Sequence, residues 1–495
     1  MERNITIKKS IYAYVFCMAW LCLGACTGHF PKIDKQIDAY PSIWPDYVEV
    51  TIPPRIAPLC FGLQEEVEEA VARFSSGEQS FEVPYRANTF SIPLAKWRKL
   101  LETSVGESIQ VEVVVRKAGE WHAHRPFEWY VSPDSIDGYL AYRRIAPGYE
   151  LWNHLGIYQR DLSSFEETPI VENYQTGENC MNCHSFCNRR PDLFLFHMRQ
   201  KFGGTYLVRG KEVEKLDTKT PETISDLVYP SWHPGGRFVA FSTNTTRQFF
   251  HPNDPNRIEV YDMESDVVVY DSERHELVTS PALFSKQAFE TFPTFSADGK
   301  QLYFCTAEAQ EMPREFRKVK YSLCSVSFDA DTRTFGTEVD TLYSALRGGR
   351  SVSFPRVSPD GRFLLYTLFD YGNFSIWHKE ADLYLLDLQT GKNRNLTEVN
   401  SPDVESYHAW SSNGRWIVFS SRRGDGLYTR PYLAHISEEG EASKPFVLPQ
   451  PTRDFYVEFM QSYNIPEFVQ GRVEVSSRTL MDKAQAKGVS ITFQP

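Results

Sequence analysis

The chain has 495 residues, a formal net charge of −11 and 41% hydrophobic residues. That length is enough for two or three domains, each with its own core. The acidic balance argues against nucleic acid and anionic membrane surfaces as partners, and the aromatic content of 14% is typical of β-rich folds.

The N-terminus predicts export and a lipid anchor. Basic residues in the first nine positions precede an apolar run over 11–25. This run is too short to span a bilayer comfortably, but it has the length of a signal-peptide core. It ends in Leu-Gly-Ala-Cys at 23–26, which resembles a bacterial lipobox.

The lipobox resemblance implies a signal peptide over 1–25 and acylation of Cys26. Thr27 stands where an aspartate would signal inner-membrane retention, so the resemblance favours the outer membrane. No acidic run follows Cys26, which favours the periplasmic face over the cell surface. We therefore predict an outer-membrane lipoprotein whose only membrane contact is its N-terminal lipid. An uncleaved membrane anchor is the open alternative.

The next part of the chain predicts a tether over 26–46 and a small β-rich domain over 47–147. The alternation of apolar and polar residues predicts strands, and three- to four-residue spacing predicts short helices. The domain is interpreted as sandwich-like. The predicted strands are 47–52 and 109–116, and the predicted helices are 65–74 and 94–102.

Residues 148–190 are predicted to be a connector, and they carry the C-x-x-C-H motif Cys180-Met-Asn-Cys183-His184. Two thiols at this spacing can form thioether bonds to the vinyl groups of one haem, while the adjacent imidazole reaches the iron. The polar, turn-rich stretch before the motif predicts Cys180 at the surface of a loop. We predict one covalent haem c on Cys180 and Cys183, with His184 as the proximal iron ligand. A zinc site completed by Cys187 is the alternative.

Three residues are candidates for the second iron ligand. His197 and Met198 follow the motif closely, and on a strand their side chains point to opposite faces, so at most one can face the iron. His408 is the third candidate, because it replaces a proline that recurs in a downstream repeat. The sequence does not choose among them.

A repeat follows residue 190. Four segments share a strand, a tight turn and a second strand, with glycine in the turn at Gly236, Gly299, Gly361 and Gly414, where positive φ is needed. The segments are 229–241, 292–304, 354–366 and 407–419. An earlier unit is predicted from the strand-like stretches after residue 192.

This pattern resembles the TolB-type β-propeller repeat, in which several four-stranded blades surround a channel. The resemblance implies a mainly β protein whose propeller of five or six blades covers 191–470, with 471–495 as a C-terminal strand or tail. A strand exchanged between the chain ends would close the ring. Because the motif precedes the first apparent blade, we expect the haem between the propeller and the N-terminal domain.

Two functions follow from these features. The first is an envelope-anchored c-type haem protein that transfers electrons or senses through its haem. Its propeller would dock an envelope protein partner, with a redox partner as one option. It would be an electron carrier rather than an enzyme; as an enzyme it would be a haem-dependent oxidoreductase. The alternative is a non-enzymatic, TolB-like scaffold lipoprotein of the periplasm.

Overall fold

The computed structural model describes residues 30–146 and 154–494. The predicted signal peptide and the acylated Cys26 lie outside the described residues. Within those two ranges, no helix combines the length and apolar character needed to cross a bilayer. The described chain forms a small N-terminal β domain and a six-bladed β-propeller, so the prediction of a mainly β propeller protein is confirmed.

The N-terminal domain is built on one eight-stranded sheet. Its central strand, β8, pairs with β5 along one edge and with β9 and then β10 along the other. A helix buries Trp97, Leu100 and Leu101 against it. The elements are β1 (Lys35–Ile37), β2 (Ile43–Trp44), β3 (Val50–Ile52), β4 (Gly62–Leu63), β5 (Glu69–Ser76), β6 (Gln79–Arg86), β7 (Thr89–Phe90), α1 (Leu94–Thr103), β8 (Ser108–Lys117), β9 (Glu120–His124) and β10 (Phe127–Val131).

Two local predictions in this domain are wrong. The helix expected over 65–74 is strand β5, because pairing on both edges buries alternate residues despite the helix-favouring Glu and Ala content. The tether expected over 26–46 is folded in its described part. There, β1 adds to the sheet in parallel with β9, and β2 pairs with β4.

Five consecutive blades each contain four antiparallel strands in chain order. They are blade 2 with β14 (Met181–Phe186), β15 (Leu193–Met198), β16 (Gly204–Arg209) and β17 (Glu212–Asp217); blade 3 with β18 (Leu227–Trp232), β19 (Phe238–Phe250), β20 (Ile258–Asp271) and β21 (Glu276–Val278); blade 4 with β22 (Ala288–Phe295), β23 (Gln301–Glu308), β24 (Ser322–Asp329) and β25 (Thr334–Tyr343); blade 5 with β26 (Ser351–Val357), β27 (Phe363–Phe369), β28 (Asp382–Asp387) and β29 (Asn393–Asn395); and blade 6 with β30 (Glu405–Trp410), β31 (Trp416–Ser421), β32 (Arg430–His435) and β33 (Phe446–Val447).

Blade 1 joins the two ends of the chain. It takes three strands from the middle of the sequence, β11 (Tyr139–Ile145), β12 (Leu155–Asp161) and β13 (Glu167–Glu172), and its innermost strand, β34 (Ser462–Val469), from near the C-terminus. The innermost strands of all six blades contact one another in a closed circle around the axis. The connector expected over 148–190 is therefore wrong: its described residues supply two strands of blade 1 and the inner strand of blade 2.

The C-terminal residues brace the outside of the ring. Helix α4 (Ser477–Ala484) buries Leu480, and β35 (Val489–Ser490) and β36 (Thr492–Phe493) add to the outer edges of blades 2 and 3 in parallel. Two one-turn helices, α2 (Ala345–Gly348) and α3 (Phe455–Glu458), lie between strands.

The N-terminal domain packs against blade 6. Trp416 donates its indole N–H to the Asp134 carbonyl at 3.1 Å, and Tyr47 donates its hydroxyl to the Val447 carbonyl at 3.3 Å. Apolar side chains of the domain and of blades 5 and 6 form one continuous core. The domain therefore extends one side of the propeller.

Candidate functional site at the propeller axis

Each inner strand contains one bulge at the same place. A non-glycine residue adopts positive φ, an uncommon conformation, and strand pairing skips a step there. Such bulges redirect side chains, and here they form a ring, the axial ring. Its members, with φ from 48° to 53°, are Cys183, Tyr229, Phe292, Phe354, Tyr407 and Ile465.

Aromatic contacts hold four members of the axial ring together. The ring centroids of Tyr229 and Phe292 are 4.6 Å apart, those of Phe292 and Phe354 are 4.1 Å apart, and those of Phe354 and Tyr407 are 5.0 Å apart. Cys183 and Ile465 take the two remaining places. Blade 2 is thus the blade that has a thiol where four others have an aromatic side chain.

The residue after each bulge is proline in four blades and histidine in two, His184 and His408. His184 is 2% exposed, and neither of its ring nitrogens makes a hydrogen bond of good geometry among the described residues, although the Ile465 backbone lies near enough to interact with the imidazole. Burial, aided by the nearby charge of Arg143 and opposed by the backbone of Ile465, lowers the pKa of His184 to about 3. The imidazole is therefore neutral at physiological pH, the state in which it can bind a metal.

Both motif thiols are buried and free of disulfide bonds. Cys180 packs with Met181 in the core between blades 1 and 2, so the expectation that it lies at a loop surface is wrong. A short capped 3-10 helix over Asn173–Thr176 precedes it, and Cys180 lies immediately before strand β14. Burial also raises the pKa of the Cys183 thiol.

The candidates for a second iron ligand lie in three different surroundings. His408 donates from Nε2 to the Leu365 carbonyl at 3.0 Å, and its Nδ1 has no partner in the described part of the chain. His197 is hydrogen-bonded through Nδ1 to the Thr205 hydroxyl at 3.2 Å. Met198 lies in the apolar core that also contains Cys180.

A cavity of about 230 Å³ opens on the axis, on the side of the turns that join the first and second strands. It brings together Cys183, His184 and His408, whereas Cys180, His197 and Met198 do not line it. Every lining residue belongs to the propeller, so this cavity does not lie between the propeller and the N-terminal domain, where we expected the haem.

Three charged residues line this cavity that the sequence did not single out: Arg189, Arg356 and Glu467. Glu467 accepts a hydrogen bond from the Phe186 backbone N–H at 3.0 Å, and burial raises the pKa of its carboxyl to about 7. Arg189 donates from Nε to the Trp410 carbonyl at 2.9 Å. Arg356 and Glu467 each lie two residues after a member of the axial ring. An alignment of the inner strands would have shown this shared position and so identified both residues from the sequence.

The structure does not support the zinc alternative. Within the ranges 30–146 and 154–494, no three His, Cys, Asp or Glu side chains are grouped so that they could hold a metal ion. Cys187 packs instead in the core between blades 2 and 3, with its Sγ 4.0 Å from the His233 carbonyl oxygen.

Comparisons with known proteins assign no family to this chain. No family model matches the chain, and no curated protein does. Among solved structures, a puromycin-hydrolysing peptidase from Mycobacterium tuberculosis is 12% identical, with 84% of this chain covered and a TM-score of 0.36; the chain spans 56% of that protein. An oligogalacturonate lyase in complex with manganese is 10% identical over 63% of this chain and 91% of its own, with a TM-score of 0.31. The tricorn protease is 12% identical over 69% of this chain and 34% of its own, with a TM-score of 0.31.

Proposed function

We propose that this chain is a c-type haem protein of the bacterial envelope, working as an electron carrier or haem-dependent sensor. The observation that carries the proposal is the departure of blade 2 from the repeat. At the bulge, Cys183 and His184 replace the aromatic residue and proline of other blades, and both belong to the C-x-x-C-H motif.

The residues present fit a thioether-linked haem in their chemistry. Cys180 and Cys183 are free thiols, and His184 is a neutral imidazole whose two nitrogens make no hydrogen bond of good geometry among the described residues. Burying a polar atom without a hydrogen-bond partner costs free energy. Binding to iron would give a ring nitrogen of His184 the partner that the protein does not supply. When bound, the haem supplies one-electron chemistry.

The chain's own residues then have defined tasks. Cys180 and Cys183 would attach the group, and His184 would be a ligand of the iron. Met198, His197 and His408 remain the candidates for a second ligand. The apolar core between blades 1 and 2 excludes water from this region, which favours the less charged state of a buried redox centre.

The N-terminal resemblance supports attachment to the outer membrane through acylated Cys26, facing the periplasm. A TolB-like propeller in that place would dock a protein partner of the envelope, either one that exchanges electrons or one that receives a signal. If the C-x-x-C-H motif binds no haem, the remaining proposal is a non-enzymatic, TolB-like scaffold lipoprotein of the periplasm.

The test is the absorbance of the full-length protein matured in a host that attaches haem to exported proteins. We expect reduced and oxidised c-type haem spectra from the wild type and no haem from Cys180→Ala/Cys183→Ala. The matched control is Cys60→Ala/Cys324→Ala, which removes two buried free thiols elsewhere and should keep the haem. A wild type without haem absorbance would overturn the proposal.

A further inference from the structure

The wall of the axial cavity is a second ring of side chains, two residues beyond the axial ring. We name it the polar ring. All of its members line the cavity: Ser185, Ser231, Thr294, Arg356, Ala409 and Glu467. Three adjacent blades thus contribute hydroxyl groups, and the other three contribute one cation, one methyl group and one carboxyl group.

The two charged members of the polar ring do not form an ion pair with each other. Arg356 and Glu467 come from blades 5 and 1, and they attract each other electrostatically without forming an ion pair within 4.0 Å in the described residues. Ala409 of blade 6 comes between them in the order of the ring and contributes a methyl group to the lining. Arg189 adds a second guanidinium to the same cavity.

The hydroxyl side of the polar ring also has unused hydrogen-bonding capacity. Ser231 donates to the Thr294 hydroxyl at a long 3.4 Å. The hydroxyl of Ser185 makes no side-chain hydrogen bond within the described ranges. A hydroxyl can both donate and accept, so this half of the ring can bind the hydroxyl groups of a ligand.

Apolar surface completes the cavity. Tyr229, Phe354 and Tyr407 of the axial ring form its floor, and Trp232 and Trp410 belong to its walls. Its volume of about 230 Å³ is below the roughly 300–1,000 Å³ of pockets for drug-sized molecules. A few convergent polar groups above an apolar floor are typical of sites for small molecules.

We propose that the axial cavity binds a small hydroxycarboxylate. Its carboxylate lies against Arg356 and Arg189, since a guanidinium fork matches a carboxylate in geometry and charge. The hydroxyl groups of the ligand form hydrogen bonds with Ser185, Ser231 and Thr294 on one side of the cavity. On the other side they form hydrogen bonds with the carboxyl group of Glu467. Cys183 and His184 line the same cavity, so a haem held by them and the hydroxycarboxylate would exclude each other, and the ligand site belongs to the chain without haem.

The probe for this site is gluconate, and its match is sorbitol, which has the same carbon chain with a further hydroxyl group in place of the carboxylate. Isothermal titration of the full-length protein made in a host that does not attach haem should give binding of gluconate that is roughly ten- to a hundredfold tighter than that of sorbitol. Hexanoate, a carboxylate without hydroxyl groups, should bind more weakly than gluconate.

Arg356→Gln should lose roughly tenfold or more in gluconate affinity, while Arg274→Gln, at an exposed turn of blade 3, should bind as the wild type. Ala409→Leu keeps every charge but puts a larger side chain into the cavity lining, so it should also abolish binding. This variant carries the test if Arg356→Gln fails to fold. Equal affinity for gluconate and sorbitol, no gluconate binding by the wild type, or unchanged binding by Ala409→Leu would overturn the proposal.

Discussion

His184 and His408 occupy the same position in two blades of the ring, directly after the positive-φ residue of the inner strand. His408 is satisfied there, because its Nε2 donates to the Leu365 carbonyl of the neighbouring blade. Neither nitrogen of His184 makes a hydrogen bond of such geometry in the described chain, although the Ile465 backbone of the neighbouring blade lies near enough to interact with it. Two equivalent histidines thus differ in hydrogen bonding, and the less well satisfied one is the histidine of the C-x-x-C-H motif.

The first prediction concerns His184→Pro. Four blades have proline at this position, so the free energy of unfolding should change by no more than about 1 kcal/mol. The haem spectrum should change strongly, since the proximal ligand is gone. Urea unfolding and absorbance spectra measure the two effects. His122→Gln, in the N-terminal domain, is the control. An unaltered spectrum in His184→Pro would exclude the ligand role.

The second prediction concerns Arg160, which is 2% exposed. Its guanidinium donates to the Pro449 carbonyl at 2.9 Å and to the Gln450 side chain at 3.1 Å, joining blade 1 to the segment after blade 6. Arg160→Met leaves these buried acceptors without a donor and should lower the free energy of unfolding by roughly 2–4 kcal/mol.

Chemical denaturation measures the effect of Arg160→Met. The control is Arg314→Met, because the side chain of Arg314 is 77% exposed and its ion pair with Glu311 is at the surface. That variant should change stability by less than about 0.5 kcal/mol. Equal stabilities of the two variants would contradict the role of Arg160 in joining the blades.

The third prediction is a pH dependence at His378, which is 1% exposed. Its Nδ1 lies 3.0 Å from Glu380 and its Nε2 3.4 Å from Glu259, which joins a loop of blade 5 to a strand of blade 3. Burial alone would lower the pKa of His378, but the two carboxylates outweigh it and raise the pKa to about 9.

Because the folded pKa of His378 lies above its unfolded value of about 6.5, its stabilisation is complete below pH 6.5. It is lost as the pH rises through 9, and amounts to on the order of 3 kcal/mol. Unfolding measured from pH 6 to 10 should show this loss in the wild type, and His378→Gln should remove it. Parallel pH profiles for both proteins would refute the assignment.

The fourth prediction concerns ring closure. A chain that ends after Gln461 lacks β34, which leaves β11 without its inner partner and opens the ring between blades 6 and 2. It should not give a folded monomer. A chain that ends after Gln470 keeps β34 and loses α4, β35 and β36; it should fold with stability lowered by roughly 2–4 kcal/mol. Size-exclusion chromatography and circular dichroism distinguish the two, and a folded monomer from the shorter chain would contradict this closure.

The sequence was sufficient to predict blades 3 to 6. In each of them the first two strands are contiguous and their turn contains a glycine with φ from 69° to 75°, so the repeat is visible in the residues. Blade 1 could not be found in this way. Its inner strand comes from β34, more than three hundred residues after β11, and the turn that marks the other blades does not exist there.

The position of the motif was predictable only in part. The Tyr-Pro and Phe-Pro pairs of the inner strands could have been aligned with Cys183-His184, which would have placed the motif on an inner strand. The burial of Cys180 between blades 1 and 2 could not have been predicted, because it depends on the strands of blade 1. Glu467 was predictable from the proline before it, because Ile465-Pro466-Glu467 aligns with Phe354-Pro355-Arg356 of blade 5.

The most direct test of the central claim is the mass of the peptide that contains Cys180 and Cys183, released from full-length protein matured in a haem-attaching host. We predict that this peptide carries one haem, bonded through both sulfur atoms. Recovery of the peptide with both thiols unmodified and open to alkylation would contradict the account.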